Sequence, residues 1–185
     1  QNIAIGYRAG KNANASDLVY IGHECGQNTS TGGYNTAVGH RCFRNNTTGF
    51  NNTVMGLGAA RLNESGSYNV AMGYAALYTN TTGASNVAIG WNALGTNSTG
   101  GNNTALGVDS LKTNSTGNHN VAIGLNALED STTASNNIAI GVDAGRLNTT
   151  GTDNVYIGRS CGEAGTTATR CTAVGGYALD VNTTA

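Results

Sequence analysis

A phrase of four residues that ends in glycine recurs along the whole chain at a nearly fixed spacing. One copy is Val121-Ala122-Ile123-Gly124, and the other ten begin at residues 3, 19, 36, 53, 70, 87, 104, 138, 155 and 172. The first step is 16 residues long and each later step is 17. A fixed period of this size over eleven copies is typical of a solenoid, in which each repeat forms one turn and stacks on the next.

The repeat alternates bulky and small residues and then turns. With residues 120–136 numbered as positions one to seventeen, positions two and four are β-branched or bulky in most copies, and position three is usually Ala. Position five is always Gly. This alternation predicts a short strand that the glycine ends. Positions six to nine, with a small residue at position eight, are predicted to form a second strand, and the Asn/Ser/Thr/Gly remainder predicts a return turn.

The predicted fold is therefore an all-β, parallel β-solenoid of about eleven turns over one region, 1–185. The chain has 28 glycines, no proline and only 10% charged residues, which fits many small repeated cores better than one large core. At the usual strand spacing the rod would be roughly 50 Å long. The predicted structural core comprises position four and the glycine after it: Ile89, Leu106, Ile123, Ile140, Gly90, Gly107 and Gly124.

The phrase Asn-Val-Ala-Ile-Gly, followed by x-x-Ala and a polar Asn/Thr/Gly turn, resembles a known repeat. It is similar to the head repeat of YadA-like trimeric autotransporter adhesins and to related repeats of bacteriophage tail fibres. The resemblance covers essentially the whole chain, although the adhesin repeat is shorter in its turn. It implies a left-handed parallel β-roll, a homotrimer around a common axis, and a place outside the cell, on a cell surface or on a virion. The chain is then expected to be a fragment of a longer fibre protein.

A stripe of uncharged residues is the predicted trimer interface. If positions two and four point inward, the position-three alanines form an outward stripe that lets three rods approach closely. The alternative is that the alanines point inward and the Val and Ile residues make the interface. Examples of these alanines are Ala71, Ala88, Ala105 and Ala122.

Four cysteines interrupt the repeat. Cys25 and Cys42 occupy position eight of consecutive repeats, and Cys161 and Cys171 lie in the last two. Two disulfides, Cys25–Cys42 and Cys161–Cys171, are one expectation, and four free thiols in small interior sites are the other. A zinc site built from His23, His40 and the first cysteine pair would be a poor tetrahedron, so neither a metal nor another cofactor is predicted.

Aromatic side chains at position six and Asn-x-Ser/Thr sequons are candidates for sugar chemistry. Packing between rungs is the favoured interpretation of the aromatic residues, with Trp91 and Tyr74 as possible glycan contacts. Ladder formation is the favoured interpretation of the sequon asparagines, and glycan attachment is the alternative. These asparagines are Asn28, Asn63, Asn80, Asn97, Asn114 and Asn148.

The predicted function is a structural or adhesive segment of an extracellular or virion fibre, without catalysis. No acid–base pair or nucleophile motif recurs, which argues against an enzyme. The net charge of −1 gives no case for nucleic acid, and no apolar run is long enough for membrane insertion. The expected partners are two further copies and a cell-surface glycan or protein receptor. The alternatives are a monomeric solenoid that binds ice or carbohydrate, suggested by pairs such as Thr81-Thr82, and an open end-to-end filament.

Overall fold

The computed structural model describes residues 1–180, which form a solenoid with one strand in each turn. The strands are β1 (Asn2–Ile5), β2 (Leu18–Ile21), β3 (Thr36–Val38), β4 (Thr53–Met55), β5 (Val70–Met72), β6 (Val87–Ile89), β7 (Thr104–Leu106), β8 (Val121–Ile123), β9 (Ile138–Ile140), β10 (Val155–Ile157) and β11 (Thr172–Val174). They make one 11-stranded sheet in chain order, and every pair is parallel. The predicted parallel β-solenoid is confirmed, and residues 181–185 of the predicted region lie outside the described residues.

Each turn, called a rung below, lies in register on its neighbours. Leu106 pairs with Ile89 on one side and with Ile123 on the other. Rung-to-rung bonds continue outside the strands, as between the Leu94 N–H and the Ser110 carbonyl at 2.9 Å and between the Ser98 N–H and the Ser115 carbonyl at 2.9 Å. Backbone groups are thus paired between rungs around much of the perimeter, which a solenoid without helices requires.

The interior is filled by positions three, eight and nine. The position-three alanines, such as Ala88, are buried opposite the position-eight residue Ala93 and the position-nine residue Leu94. The same leucine column continues at Leu77, Leu111 and Leu128. In these rungs the leucine at position nine packs with the alanine at position three and a small residue at position eight, so the core is narrow and closely filled.

The predicted core at position four is wrong. Leu106 is 42% and Ile140 is 37% exposed, and Ile89 and Ile123 are only half-buried. The alternation was assigned correctly, but its phase was reversed, because the leucine at position nine leaves room only for a small residue at position three. The interface of outward alanines is overturned with it, and the outward side chains are Val, Ile, Leu, Met and Thr.

The predicted second strand at positions six to nine is also wrong. These residues form turns, and positions seven and nine have left-handed backbone, with φ of 56° at Asn92 and 53° at Leu94. Alternating left-handed residues bend this wall, whereas a strand would need extended φ at each residue. The cost of φ > 0 at non-glycine residues is offset by the rung-to-rung hydrogen bonds on both sides.

The glycine at position five is required, as predicted for Gly90, Gly107 and Gly124. Gly90 has φ of 139°, and a Cβ there would lie 2.3 Å from the Gly107 carbonyl oxygen. Only glycine combines this backbone conformation with such a close approach between neighbouring rungs.

Two columns of buried asparagines hold the corners. At position twelve the amide of Asn80 donates to the Asn63 side chain at 2.6 Å and to the Gly83 carbonyl at 2.8 Å. At position one the side chain of Asn86 donates to the Gly100 carbonyl at 2.9 Å, and its Oδ1 accepts from the Asn103 N–H at 3.0 Å. The ladder interpretation of the sequons is confirmed for Asn63, Asn80, Asn97 and Asn114.

Burial separates these sequons from a glycan acceptor. Asn148 is fully buried like the ladder members and donates to the Gly151 carbonyl at 3.1 Å. Asn28 lies one position earlier in its rung, is half-buried, and donates to Asn45 at 3.3 Å. A folded chain therefore offers none of the five buried sequon amides to solvent.

Candidate functional site

The outward side chains of the strands form one long uncharged surface. This outer strand face consists of positions two and four of β1 to β11. Position two holds Ile3, Val19, Thr36, Thr53, Val70, Val87, Thr104, Val121, Ile138, Val155 and Thr172, and position four holds Ile5, Ile21, Val38, Met55, Met72, Ile89, Leu106, Ile123, Ile140, Ile157 and Val174. The side chains at these two positions are half-buried or exposed in every strand. Long contiguous apolar surfaces on proteins commonly serve as interaction surfaces.

The position-six column runs along the edge of that face. His23 stacks on His40 with ring centroids 4.9 Å apart, and Tyr7 lies 5.1 Å from His23. Tyr74 and Trp91 are nearly parallel, with centroids 6.0 Å apart and planes 10° apart. Packing between rungs is therefore observed in this column, yet Tyr74 and Trp91 remain 51% and 49% exposed.

A groove lies between the position-six column and the position-ten column over rungs 52–68, 69–85 and 86–102. It consists of two adjoining cavities of about 190 Å³ and 340 Å³ that share Tyr74, Ala75 and Tyr78. Leu57 and Arg61 border the first cavity, and Trp91 and Gly95 border the second. The groove therefore runs along the rod, and Tyr74, Tyr78 and Trp91 contribute aromatic side chains to its walls.

The groove is open because position seven carries only glycine or alanine in the first two of its rungs. Gly58 and Ala75 occupy position seven in the first two of these rungs, whereas Arg41 occupies it in the rung before and Asp109 in the second rung after Ala75. The backbone is the same in each case, with φ of 53° at Arg41, Ala75 and Asp109. The floor of the groove is thus lowered by the small side chains at position seven and not by a change in the backbone.

Arg61 is the cation of the groove. Its Nη1 donates to the Tyr78 hydroxyl at 2.7 Å, and its guanidinium carbon lies 5.8 Å from the centre of the Tyr78 ring. Its Nε is buried without a hydrogen-bond partner. Among residues 1–180, no carboxylate lies within ion-pair distance of this guanidinium.

On the N-terminal side of the groove, the arginines at positions seven and ten share one carboxylate. Glu24 contacts Arg41 at 3.0 Å, Arg44 at 3.2 Å and Arg8 at 3.8 Å. Burial acts to raise the pKa of Glu24, but the Arg41 hydrogen bond and the charges of Arg44 and Arg41 outweigh it, so the pKa is lowered. This carboxylate is already engaged by cations of its own.

On the C-terminal side of the groove, the cations of the same columns also form ion pairs with carboxylates. Lys112 contacts Glu129 at 3.2 Å and Asp109 at 3.5 Å, and Arg146 contacts Glu163 at 2.9 Å. The hydrogen bond to Glu129 raises the pKa of Lys112. Arg61 therefore differs from the cations on both sides of it, which have carboxylate partners.

Of the two cysteine pairs, the structure brings only Cys25 and Cys42 into contact. Cys25 and Cys42 stack on consecutive rungs with their Sγ atoms 2.8 Å apart, both buried as free thiols. The hydrogen bond with Cys25, followed by burial, raises the pKa of Cys42. At the other end the Cys161 thiol donates to the Ala173 carbonyl at 3.1 Å and the Cys171 thiol contacts the Thr169 carbonyl at 3.9 Å. Cys25, Cys42 and Cys161 lie in the interior as the free-thiol expectation has it, whereas Cys171 is only half-buried. Both disulfides stay predictions.

Sequence reasoning named Tyr74 and Trp91 but missed Arg61, Tyr78, Gly58 and Ala75. The missed signal is visible only when positions six, seven and ten are compared as columns: three consecutive rungs combine a bulky position six with an altered position seven or ten.

Within residues 1–180, no group of three or more His, Cys, Asp or Glu side chains is placed to hold a metal ion. The same residues contain no helix of the length and apolarity needed to cross a bilayer. Comparison of the chain with protein-family models, curated proteins and solved structures found no match.

Proposed function

We propose that this chain is a structural and adhesive segment of an extracellular or virion fibre, and that it works as a homotrimer. The single observation that carries this proposal is the outer strand face, which is uncharged on all eleven strands. Three rods placed with these faces toward a common axis would bury the side chains that a lone rod leaves in water.

The chemistry of this face favours association with a like surface. Its Val, Ile, Leu, Met and Thr side chains stack in straight columns, since equivalent residues pair between neighbouring strands, as Ile123 does with Ile140. Straight columns of similar size let a second rod lie against the first along the whole sheet. The threefold state, the handedness and the location outside the cell rest on the resemblance of the repeat to fibre and adhesin repeats.

The interface can be tested by placing charge on it. The double substitution Ile89→Lys and Ile123→Lys would place two cations of each rod at the shared axis, so we expect the trimer to separate into monomers. Asp130→Lys, on a turn away from the outer strand face, is the control and should leave the trimer intact. The measurement is molar mass by light scattering after size exclusion.

Other masses separate the alternatives. A wild-type monomer contradicts the trimer and leaves the monomeric binding solenoid as the remaining function. A mass that rises with concentration indicates the open filament instead. The ice-binding alternative has weak support, because the Thr81 and Thr149 hydroxyls already donate to carbonyls of the next rung at 2.8 Å and 2.9 Å.

A further inference from the structure

We propose that the groove beside Tyr74 and Trp91 binds an oligosaccharide that carries a carboxylate, such as a uronic or sialic acid. This deepens the adhesive part of the proposed function by naming the ligand class and the residues that recognise it. In this assignment Tyr74 and Trp91 pack against sugar rings, and Arg61 donates hydrogen bonds to the acid.

The shape of the groove fits a chain-like ligand. Its two cavities adjoin along the rod and are lined chiefly by three consecutive rungs, with His40 and Arg41 of the preceding rung at one end. Sites for small ligands are concave, largely apolar and supplied with a few polar groups that fix orientation. The Asn92 amide and the Thr96 hydroxyl lie along the second cavity, where they can meet ligand hydroxyls, although the Asn92 amide also donates to Asp109 at 2.8 Å.

The aromatic wall fits sugar rings. A pyranose ring has one flat side lined with C–H bonds and polar hydroxyls at its edge, so it matches an exposed ring that combines an apolar face with a polar tip. Tyr74 and Trp91 are nearly parallel and half exposed, and Tyr78 closes the opposite side. Consecutive rungs therefore present flat surfaces at successive heights along the groove.

The charge of the groove selects an acid. Arg61 has a buried Nε without a partner and holds only the neutral Tyr78 hydroxyl. A guanidinium presents paired N–H donors that match the two oxygens of a carboxylate, and such charge-assisted hydrogen bonds are stronger than neutral ones. Arg41 and His40 border the same cavity, and Arg41 already shares Glu24 with Arg44.

A peptide fits this groove less well. Extended peptides bind solenoids and sheets by adding a strand to an unpaired edge. Backbone groups along the groove are already bonded between rungs, as the Asn92 N–H is to the Tyr74 carbonyl at 2.8 Å. The protein must therefore contact a ligand in this groove through its side chains and not through its backbone.

The decisive variant fills the groove and leaves its walls unchanged. Ala75→Met fills position seven with a long uncharged side chain, and Arg41 shows that a side chain of this length is accepted at position seven two rungs earlier at the same φ of 53°, so the rung should fold normally. Trp91→Ala removes one sugar platform, and Leu125→Ala, at position six two rungs farther on, is its matched control. Circular dichroism and light scattering verify that each variant keeps the fold and mass of the wild type.

Binding is measured first on a printed glycan array that contains uronic, sialic and neutral oligosaccharides, with glutamate hexapeptide spotted beside them. The best acidic glycan is then titrated by calorimetry against its methyl ester. We expect wild-type protein to prefer the acid at least tenfold, Ala75→Met and Trp91→Ala to lose at least tenfold in affinity, and Leu125→Ala to stay within twofold. Arg61→Gln should bind acid and ester equally.

Three results overturn the proposal: no carboxylate-bearing spot binds, Ala75→Met binds as well as wild type, or the peptide binds while the acidic sugars do not. Each result can be distinguished from failure of the trimer proposal, because light scattering on the same samples measures the oligomeric state independently. Binding by a protein that is monomeric in solution would retain the groove and contradict only the trimer.

Discussion

Two rungs near opposite ends of the rod carry the same departure from the repeat, with different outcomes. Rungs 18–34 and 154–170 both contain the sequence Val-Tyr-Ile-Gly-x-x-Cys-Gly. Tyr20 and Tyr156 replace the position-three alanine and are buried, and in both rungs the position-nine leucine is replaced by glycine. The two differ at the hydroxyl: that of Tyr20 bonds the Thr29 hydroxyl at 2.9 Å, whereas that of Tyr156 has no partner.

The comparison shows how a repeat core accepts a large side chain. A Cβ on Gly26 would lie 2.3 Å from the Tyr20 ring, and a Cβ on Gly162 would lie 2.3 Å from the Tyr156 ring. The rung therefore moves volume from one wall to the other and keeps its total nearly constant, which packed cores tolerate best.

The polar end of the tyrosine follows a different rule. Burial raises the pKa of both hydroxyls to about 12, so both are neutral donors at ordinary pH. Position twelve, an asparagine in the ladder, is Thr29 in the first rung and Gly165 in the second. Volume is compensated in both rungs, but hydrogen bonding is compensated only in the first.

The largest expected effect breaks the volume exchange. Tyr20→Ala should open a cavity and cost about 3–5 kcal/mol of unfolding free energy, and Gly26→Leu should overpack the rung by about 1–3 kcal/mol or more. The double variant recreates the common Ala/Leu rung, so it should recover most of the loss. Urea unfolding of the four proteins gives the coupling energy, and additive losses would contradict the exchange.

A smaller effect sharpens the difference between the two hydroxyls. Tyr20→Phe leaves Thr29 without its partner and should cost about 1 kcal/mol, while Tyr156→Phe should be neutral or slightly stabilising because it removes an unsatisfied buried group. The check is the difference in unfolding midpoint between these two variants in urea. Equal losses would mean that the Tyr156 hydroxyl also has a partner in solution.

The smallest expected effect concerns the carboxylate that each of these rungs carries. The pKa of Glu163 is lowered by hydrogen bonds from Ser160 and Arg146, and that of Glu24 is lowered mainly by Arg41 against the opposing effect of burial. A lowered folded-state pKa gives stability that is present above the unfolded pKa of about 4.3 and is lost as the pH falls through the folded value.

Glu24→Gln should therefore weaken the acid dependence of stability more than Glu163→Gln, because the side chain of Glu24 is 7% exposed and that of Glu163 is 28% exposed. Thermal unfolding at pH 7 and at pH 3 measures this dependence, with Glu64→Gln, on an exposed turn, as the control. A larger change for Glu163→Gln would reverse the comparison.

The period and register could be predicted from sequence, but the inside of the rung could not. Like residues seventeen apart had to stack, and Leu106 does lie between Ile89 and Ile123. Alternation at period two tells which side chains share a face, but it does not tell which face is inside. That choice depends on the opposite wall, where Leu94 occupies the space that a position-four isoleucine would need.

Two further features were hidden for different physical reasons. The left-handed backbone at Leu94 and Asn92 leaves no mark on a hydrophobic pattern, because nothing about these side chains requires φ > 0. The groove was readable in principle, since Gly58 and Ala75 interrupt a column of polar residues, but the signal lies between repeats and not within one.

The hydrogen bonds of the asparagine ladder all run in one direction along the rod. From Asn63 through Asn114, each side-chain amide donates to the preceding rung, and no member points the other way. An amide hydrolysed to a carboxylate in the middle would lose its donor and face its predecessor oxygen to oxygen. The slow deamidation that ages exposed asparagines would thus interrupt the aligned amides here, and burial of every member protects the direction of the whole ladder along with its individual bonds.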